Sequence, residues 1–462
     1  MAKGLLSLPD ELLLQIGKLL SINTRSDQIY HDDGPAQSKY DRQSQRDLYN
    51  LCLTCRRLKP ITWEFLYQHV TISHYDTTPL LLRTFFEQPY LRTYVKSLVV
   101  WVKTLLYNEN TDWKDPLQGL FKNDCDFPFR DLVVRVSRAA ESPRAPKNLS
   151  SLMLTKYIPD YHFVLLLCLV GNIASLNIIR QGTMRTYGYA LGSTLCRLVK
   201  DKSSNEELLP KLHTLECNHG IRPFGGALLI TGLRSLQMIR DDGFWTTDIP
   251  VLSTLSLVNV SLTESTAKVI SLHELCHSCP RLERLEVELS QWARHSPARA
   301  LPFTVDQALL ICQNSLTKLQ LFLHGRDDWM SRLHDPDVDE EPFHPLQCLP
   351  QLTKLRELSV DLRVLMTHPE EAGERVLEDC LPSSLERLDI VFETDDMQHL
   401  RHLEPLFVGT LGAGATRLSN LQEINIWRQS RHRFGERICE QQIRRAARMI
   451  VVTTFPSIRS KL

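Results

Sequence analysis

RLERLEV at residues 281–287 and SLTKLQL at residues 315–321 are two copies of one short phrase. Counted from its leucine, each copy has an apolar residue at the first, fourth and sixth places. Apolar and polar residues that alternate in this way indicate a strand with one buried face. Further copies are NLSSLML (148–154), NIASLNI (172–178), KLHTLEC (211–217), LRSLQM (233–238), VLSTLSL (251–257), KLRELSV (354–360), SLERLDI (384–390) and NLQEINI (420–426), with YVKSLVV (94–100) as a degenerate first copy.

Successive copies, from 148–154 onward, are 19 to 39 residues apart, against roughly 20–29 residues in regular leucine-rich repeats. Several copies follow a predicted helix, as in residues 265–279, where Pro280 ends the helix before the next strand. One helix–strand unit cannot cover its own apolar faces, so stacked units must share a core. We therefore predict an α/β fold whose residues 90–430 form an irregular, curved leucine-rich-repeat solenoid, with parallel strands on the concave face and helices outside.

The first 72 residues have a different, helical pattern. Leu8, Leu12, Ile16 and the Leu19/Leu20 pair lie on one stripe of a helix. Residues 21–46 are polar and without periodicity, which predicts a flexible insertion. Beyond it, two more short helices are predicted to lead into a strand at residues 70–72.

Composition limits the classes of partner. Of the 462 residues 43% are hydrophobic, and 54 basic residues balance 54 acidic ones, which gives no electrostatic reason to expect a nucleic-acid or membrane partner. The longest apolar run, residues 163–174, is shorter than the roughly 20 residues that cross a bilayer, so we predict a buried helix there. The twelve cysteines are scattered and no secretory signal is evident, which favours reduced thiols in the cytoplasm or nucleus.

The order LPDELL (8–13), Leu48, Leu51 and LTCRRL (53–58) resembles the F-box domain of fungal proteins over about residues 5–72. The resemblance implies a substrate receptor of an SCF-type cullin–RING ubiquitin ligase, in which the F-box binds the Skp adaptor and, through it, cullin. The repeats would then bind an unidentified target protein. By analogy, Leu8 and Pro9 are expected at the adaptor interface. Leu12, Ile16, Leu48 and Leu51 are expected to be divided between that interface and internal packing, unless all six residues only form the core of the helical module.

Two features depart from the F-box pattern. The insertion after the first helix is long, and Leu58 stands where many F-boxes have tryptophan, with Trp63 downstream. The alternative is therefore a repeat scaffold that acts outside ubiquitin ligation, with the helices binding another partner or capping the solenoid. An enzyme has no supporting motif.

Target contacts are predicted from strand residues that alternate with the buried ones and therefore point to the concave face. Phe322 and Trp427 are possible anchors, because exposed aromatic residues are enriched at binding hot spots, although neighbouring loops could equally cover them. The predicted target-binding residues are Arg284, Glu286, Lys318, Phe322, Glu357, Asp361, Arg387, Asp389, Asn425 and Trp427.

Neither a cofactor nor a metal ion is predicted. The best metal candidates, His273, Cys276, His277 and Cys279, fall on a repeat helix where the cysteines should face the core. The acidic residues 335–341 (DPDVDEE) predict an exposed loop, and residues 431–462 predict a basic C-terminal capping helix and tail.

Overall fold

The computed structural model describes residues 8–22, 39–54, 57–72, 77–103, 158–181, 209–218, 232–239, 256–265, 269–289, 305–323, 346–365, 377–393 and 418–429. The chain forms two compact units, residues 1–233 and residues 234–462. Both units combine helices with parallel strands, so the predicted α/β class is confirmed. The copy at 148–154, the acidic residues 335–341 and the tail at 431–462 lie outside the described residues.

The N-terminal unit begins with three helices: α1 (Asp10–Ile22), α2 (Lys39–Thr54) and α3 (Leu58–Gln68). Helix α1 packs against both α2 and α3. The prediction of a flexible insertion over 21–46 is wrong at both ends, since α1 continues to Ile22 and α2 begins at Lys39. The apolar periodicity of α2 starts only at Leu48, so no sequence pattern distinguishes the earlier turns of this helix from a polar loop.

The rest of the N-terminal unit contains strands β1 (His69–Ile72), β2 (Ser97–Lys103), β3 (Ser175–Gln181) and β4 (Thr214–Asn218). Helix α4 (Thr77–Glu87) and a 3-10 helix (Pro89–Tyr94) precede β2, and α5 (Ile158–Leu169) precedes β3. Helix α5 confirms the buried helix predicted from the apolar run. Strands β1 to β4 pair in chain order and in parallel.

The C-terminal unit contains seven strands in its described residues, and these also pair in chain order and in parallel. They are β5 (Ser235–Ile239), β6 (Asn259–Ser265), β7 (Arg284–Leu289), β8 (Lys318–Leu323), β9 (Glu357–Asp361), β10 (Arg387–Glu393) and β11 (Glu423–Gln429). Between them lie α6 (Val269–Ser278), α7 (Val305–Ile311), a 3-10 helix (Leu349–Gln351), α8 (Leu362–Leu365) and α9 (Leu377–Cys380). The curvature of a solenoid stays a prediction.

The repeated phrase sets the register of the strands. Fourth-place residues lie directly opposite one another, as in Leu285, Leu319 and Leu358 of β7, β8 and β9. All three side chains are buried. The degenerate copy at 94–100 belongs to the same series, because Leu98 of β2 lies opposite Leu176 of β3.

Within each unit, one backbone carbonyl joins a repeat to the next. The second-place residue of a phrase accepts hydrogen bonds from two successive amides of the following phrase, as Glu283 O does from Thr317 N (2.8 Å) and Lys318 N (3.0 Å). The arrangement recurs at Lys96 O and Ala174 O in the N-terminal unit and from Arg234 O to Glu386 O in the C-terminal unit, and it satisfies polar backbone groups that enter the buried array. It fixes neighbouring phrases in the same register whatever the length of the loop between them.

The predicted copy at 251–257 has the wrong register. Asn259 of β6 pairs with Ser235 of β5, so the phrase in the structure is LVNVSL (257–262). Amides of Val258 and Asn259 bond to Arg234 O, as in the other repeats. Two overlapping apolar phrases share Leu257, and only the neighbouring strand selects between them.

Candidate interaction surfaces

Helix α1 has apolar residues on two faces. Leu13 is 2% exposed and points into the module, whereas Leu12 (42% exposed) and Leu19 (65%) remain outside. Half-buried Ile16 lies between these two on the outer stripe. Leu8 is half-buried and Pro9 is exposed just before the helix. The predicted stripe is therefore real, but most of it faces outward.

Gly17 explains how α1 fits against α3. A Cβ atom at this position would lie 2.6 Å from Cδ2 of Phe65 and 2.7 Å from its Cε2. These distances are shorter than normal van der Waals contact. The helices can therefore pack this closely only because residue 17 has no side chain. The close approach fixes which face of α1 remains outside.

Helix α2 corrects one predicted adaptor contact. Leu48 is 1% exposed and belongs to the core, whereas Leu51 is half-buried. Cys52 shares this inner face, and its Sγ lies 2.8 Å from Oγ1 of Thr62 in a hydrogen bond. Leu48 is wrong as a surface contact because the inner face of amphipathic α2 packs on α3.

On α1 and α2, four exposed apolar residues were not among the predicted contacts: Leu14, Leu19, Tyr49 and Leu53. Tyr49 and Leu53 are four residues apart, so they share one face of α2. The sequence carried this signal, since a second apolar pair follows Leu48 and Cys52 by one residue. The pattern alone did not show which pair would be covered.

Leu58 and Trp63 have distinct roles in α3. Leu58 is buried in the module core. Trp63 is half-buried, with its ring centroid 5.9 Å from that of Tyr90 and with Lys59 Nζ 4.4 Å above its ring. Tyr67 packs near Phe85 with 6.1 Å between ring centroids, and burial, the largest cause, raises the pKa of its phenol. These contacts join α3 to the segment that leads into β2.

The third-place residues of β7 to β11 form a row of opposite and like charges. Lys318 Nζ lies 2.9 Å from a carboxylate oxygen of Glu357, and Arg387 Nε lies 3.7 Å from one of Glu423. Directly across the strands, Arg284 lies opposite Lys318 and Glu357 lies opposite Arg387. Most of this row is exposed or half-buried, as predicted for a polar strand face.

The fifth-place residues form a second polar row. Asp389 accepts a 2.8 Å hydrogen bond from Nδ2 of Asn425, and Glu286 accepts one of 2.8 Å from Oγ of Ser261. In the N-terminal unit, Asn177 donates similarly to Glu216 at 2.7 Å. These hydrogen bonds fix the orientation of the fifth-place side chains on neighbouring strands.

The seventh place departs from the prediction at β9. Asp361 is only 3% exposed, so it is wrong as an exposed target contact. Strand β9 ends at Asp361 and α8 begins at the next residue. Phe322 is half-buried opposite Glu288, and Trp427 lies in β11 opposite Val391, although its side chain is outside the described set.

The cysteines and histidines of α6 do not converge. Cys276 and Cys279 are fully buried, and Cys312 Sγ lies 3.8 Å from the carbonyl oxygen of each. The pKa of Cys276 is raised mainly by a hydrogen bond with Cys312 and, to a smaller extent, by burial. Burial raises the pKa of Cys279 to about 12. His273 and His277 instead stack on each other at 6.3 Å, with His277 exposed. Across the described residues, no group of three or more His, Cys, Asp or Glu side chains could hold a metal ion.

No protein-family model matches the chain, and no similar sequence is found among curated proteins. Among the helices that the structure describes, none is long and apolar enough to cross a membrane. The eight cysteines in the described part of the chain form no disulfide bond, and six of them are buried. Function is therefore inferred from the residues and their arrangement.

Proposed function

We propose that this chain is a non-catalytic substrate receptor of an SCF-type cullin–RING ubiquitin ligase. Helices α1 to α3 bind a Skp-type adaptor, and the polar strand face binds the protein to be ubiquitinated. The proposal implies a cytoplasmic or nuclear location. One observation carries it: of the seven large apolar side chains exposed within the described residues, five lie on α1 and α2.

The concentration of apolar side chains on two short helices favours a protein partner. Single exposed leucines are common on protein surfaces, but contiguous apolar patches usually mark interaction sites. Leu12 and Leu19 lie on one face of α1, and Tyr49 and Leu53 lie on one face of α2. A three-helix module of this size buries little core on its own, so covering these side chains with an adaptor would stabilise it.

The strand face supports a polar target surface. From β7 to β11, its third- and fifth-place side chains are charged, amide or hydroxyl groups, most of them half-buried. Exposed ion pairs such as Lys318 with Glu357 contribute little to stability. We expect these charged side chains to contribute to binding specificity instead, since a target that covers them must supply matching charges.

A specific observation favours a second candidate, the repeat scaffold. Helix α3 ends at Gln68 and β1 begins at His69, and Gln68 O accepts a 2.9 Å hydrogen bond from Lys96 N. An arrangement of this kind suits a helical cap that covers the first strand of a repeat array. A cap needs no adaptor.

Binding of the purified Skp adaptor to the full chain distinguishes these functions. We expect wild type to bind, and Leu19→Glu and Leu53→Glu to weaken binding by at least about tenfold, because a charge replaces an apolar contact. The Leu8→Ala/Pro9→Ala variant should also weaken it. Leu80→Glu is the matched control, since Leu80 is exposed on α4 outside this surface.

Biolayer interferometry gives the affinities, and circular dichroism confirms that each variant is folded. If folded wild type does not bind the adaptor, the receptor proposal is wrong and the scaffold function is preferred. If Leu80→Glu weakens binding as much as Leu19→Glu, the adaptor surface has been assigned to the wrong helices.

A further inference from the structure

Arg57 connects two parts of the helical module that are far apart in sequence. It lies in the turn between α2 and α3, directly before Leu58. Its Nη2 is 2.6 Å and its Nε 3.0 Å from Oδ1 of Asp10, the first residue of α1. The same Nη2 donates to the backbone carbonyl oxygen of Leu8 at 3.0 Å. One guanidinium therefore holds both the first turn of α1 and the residue before Pro9.

These bonds complete a two-point attachment of α1. Midway along its length, α1 is held by the close approach of Gly17 to the ring of Phe65. At its N-terminal end, Arg57 holds Asp10 and Leu8. Both attachments come from α3 or the turn before it.

We propose that Arg57 is a positioning residue for the adaptor surface, holding Leu8 and Pro9 in place at the edge of the exposed apolar stripe. This inference rests on the proposed function. Arginine suits the role because its planar guanidinium presents several donors in a fixed arrangement. A carboxylate and a carbonyl can therefore be bound at the same time, which a lysine ammonium does with less directional control.

The exposure of this ion pair separates positioning from folding. The side chains of Arg57 and Asp10 are 46% and 62% exposed, and ion pairs as exposed as this contribute little to stability. Loss of the guanidinium should therefore leave the fold intact and release only the start of α1. Its effect is expected in adaptor affinity and in local backbone protection.

The test compares Arg57→Gln with Arg57→Lys in the full chain. We expect Arg57→Gln to weaken binding of the purified Skp adaptor by about two- to fivefold, as for the loss of an exposed ion pair. Arg57→Lys should recover part of the affinity. Arg83→Gln is the matched control, because Arg83 forms an equally exposed pair with Glu87 at 2.7 Å on α4. Thermal midpoints of all three variants should stay near that of wild type.

Hydrogen exchange of the unbound protein provides the second readout. Amides of residues 10–13 should exchange faster in Arg57→Gln than in wild type or Arg83→Gln. Unchanged exchange, an affinity equal to that of Arg83→Gln, or global unfolding of Arg57→Gln would each overturn the proposal. If wild type fails to bind the adaptor, the proposed function fails together with the adaptor role of Arg57, whereas the exchange rates still decide whether Arg57 holds α1.

Discussion

Helices α1 and α2 leave Leu12, Leu19 and Leu53 exposed, whereas the repeats bury almost every apolar residue of their phrase. The difference follows from what each region can pack against. Each repeat strand lies beside a strand with the same phrase in the same register. The leucines of one strand therefore pack beside the leucines of the next. The short helices pack against one another, and this packing covers only one face of each helix. The exposed apolar residues of the helical module are the surface that we propose binds a partner.

The largest expected effect tests the buried side of this comparison. Leu319→Ala should reduce the free energy of unfolding by about 2–5 kcal/mol, because it opens a cavity in the repeat core. Leu319 is fully buried. Leu53→Ala, at a 67% exposed site, should change it by less than about 0.5 kcal/mol. Urea unfolding followed by circular dichroism measures both, and equal losses would contradict the contrast between the two regions.

A smaller effect is expected where α1 meets α3. Gly17→Ala should destabilise the module by about 1 kcal/mol, since overpacking against Phe65 costs about 1–3 kcal/mol and exceeds the helix propensity gained. Gly171→Ala is the control, because a Cβ there meets nothing within 4 Å. Thermal unfolding distinguishes them, and a stabilised Gly17→Ala variant would show that the interface has more room than its distances indicate.

The smallest effect belongs to the polar face of the strands. A double-mutant cycle with Lys318→Ala and Glu357→Ala should give a coupling energy of about 0.2–1 kcal/mol. Their side chains are 33% and 47% exposed, so salt should screen the interaction. Repeating the cycle in high salt should reduce the coupling, and a coupling that persists unchanged would show that the row behaves as part of the core.

Local patterns predicted the repeats well because each phrase is self-contained. RLERLEV (281–287) and SLTKLQL (315–321) alternate apolar and polar residues over a distance that one strand spans, and both form the predicted strands. At Leu257 the same reasoning failed, because two phrases overlap and only pairing with β5 distinguishes them. The start of α2 was not predicted for the opposite reason, since the first turns of this helix have no apolar periodicity.

Site residues were harder to predict because exposure is a property of pairs of elements. Leu48 and Leu53 are both leucines on α2, yet one is buried by α3 and the other is outside. The alternation along β9 places Asp361 on the polar face, but in the structure Asp361 is buried where the strand ends and α8 begins. Arg57 carried no recognisable signal, because its partners Leu8 and Asp10 are almost fifty residues away.

By itself, the sequence determined the α/β class, the strand phrases and the two faces of each strand, because side-chain alternation follows directly from backbone geometry. It also determined that α1 is amphipathic. Only the tertiary structure decided which apolar face of α1 and α2 remains outside, which phrase forms β6 and where Arg57 binds. These outcomes depend on contacts between segments distant in the chain, and no local pattern of residues specifies such contacts.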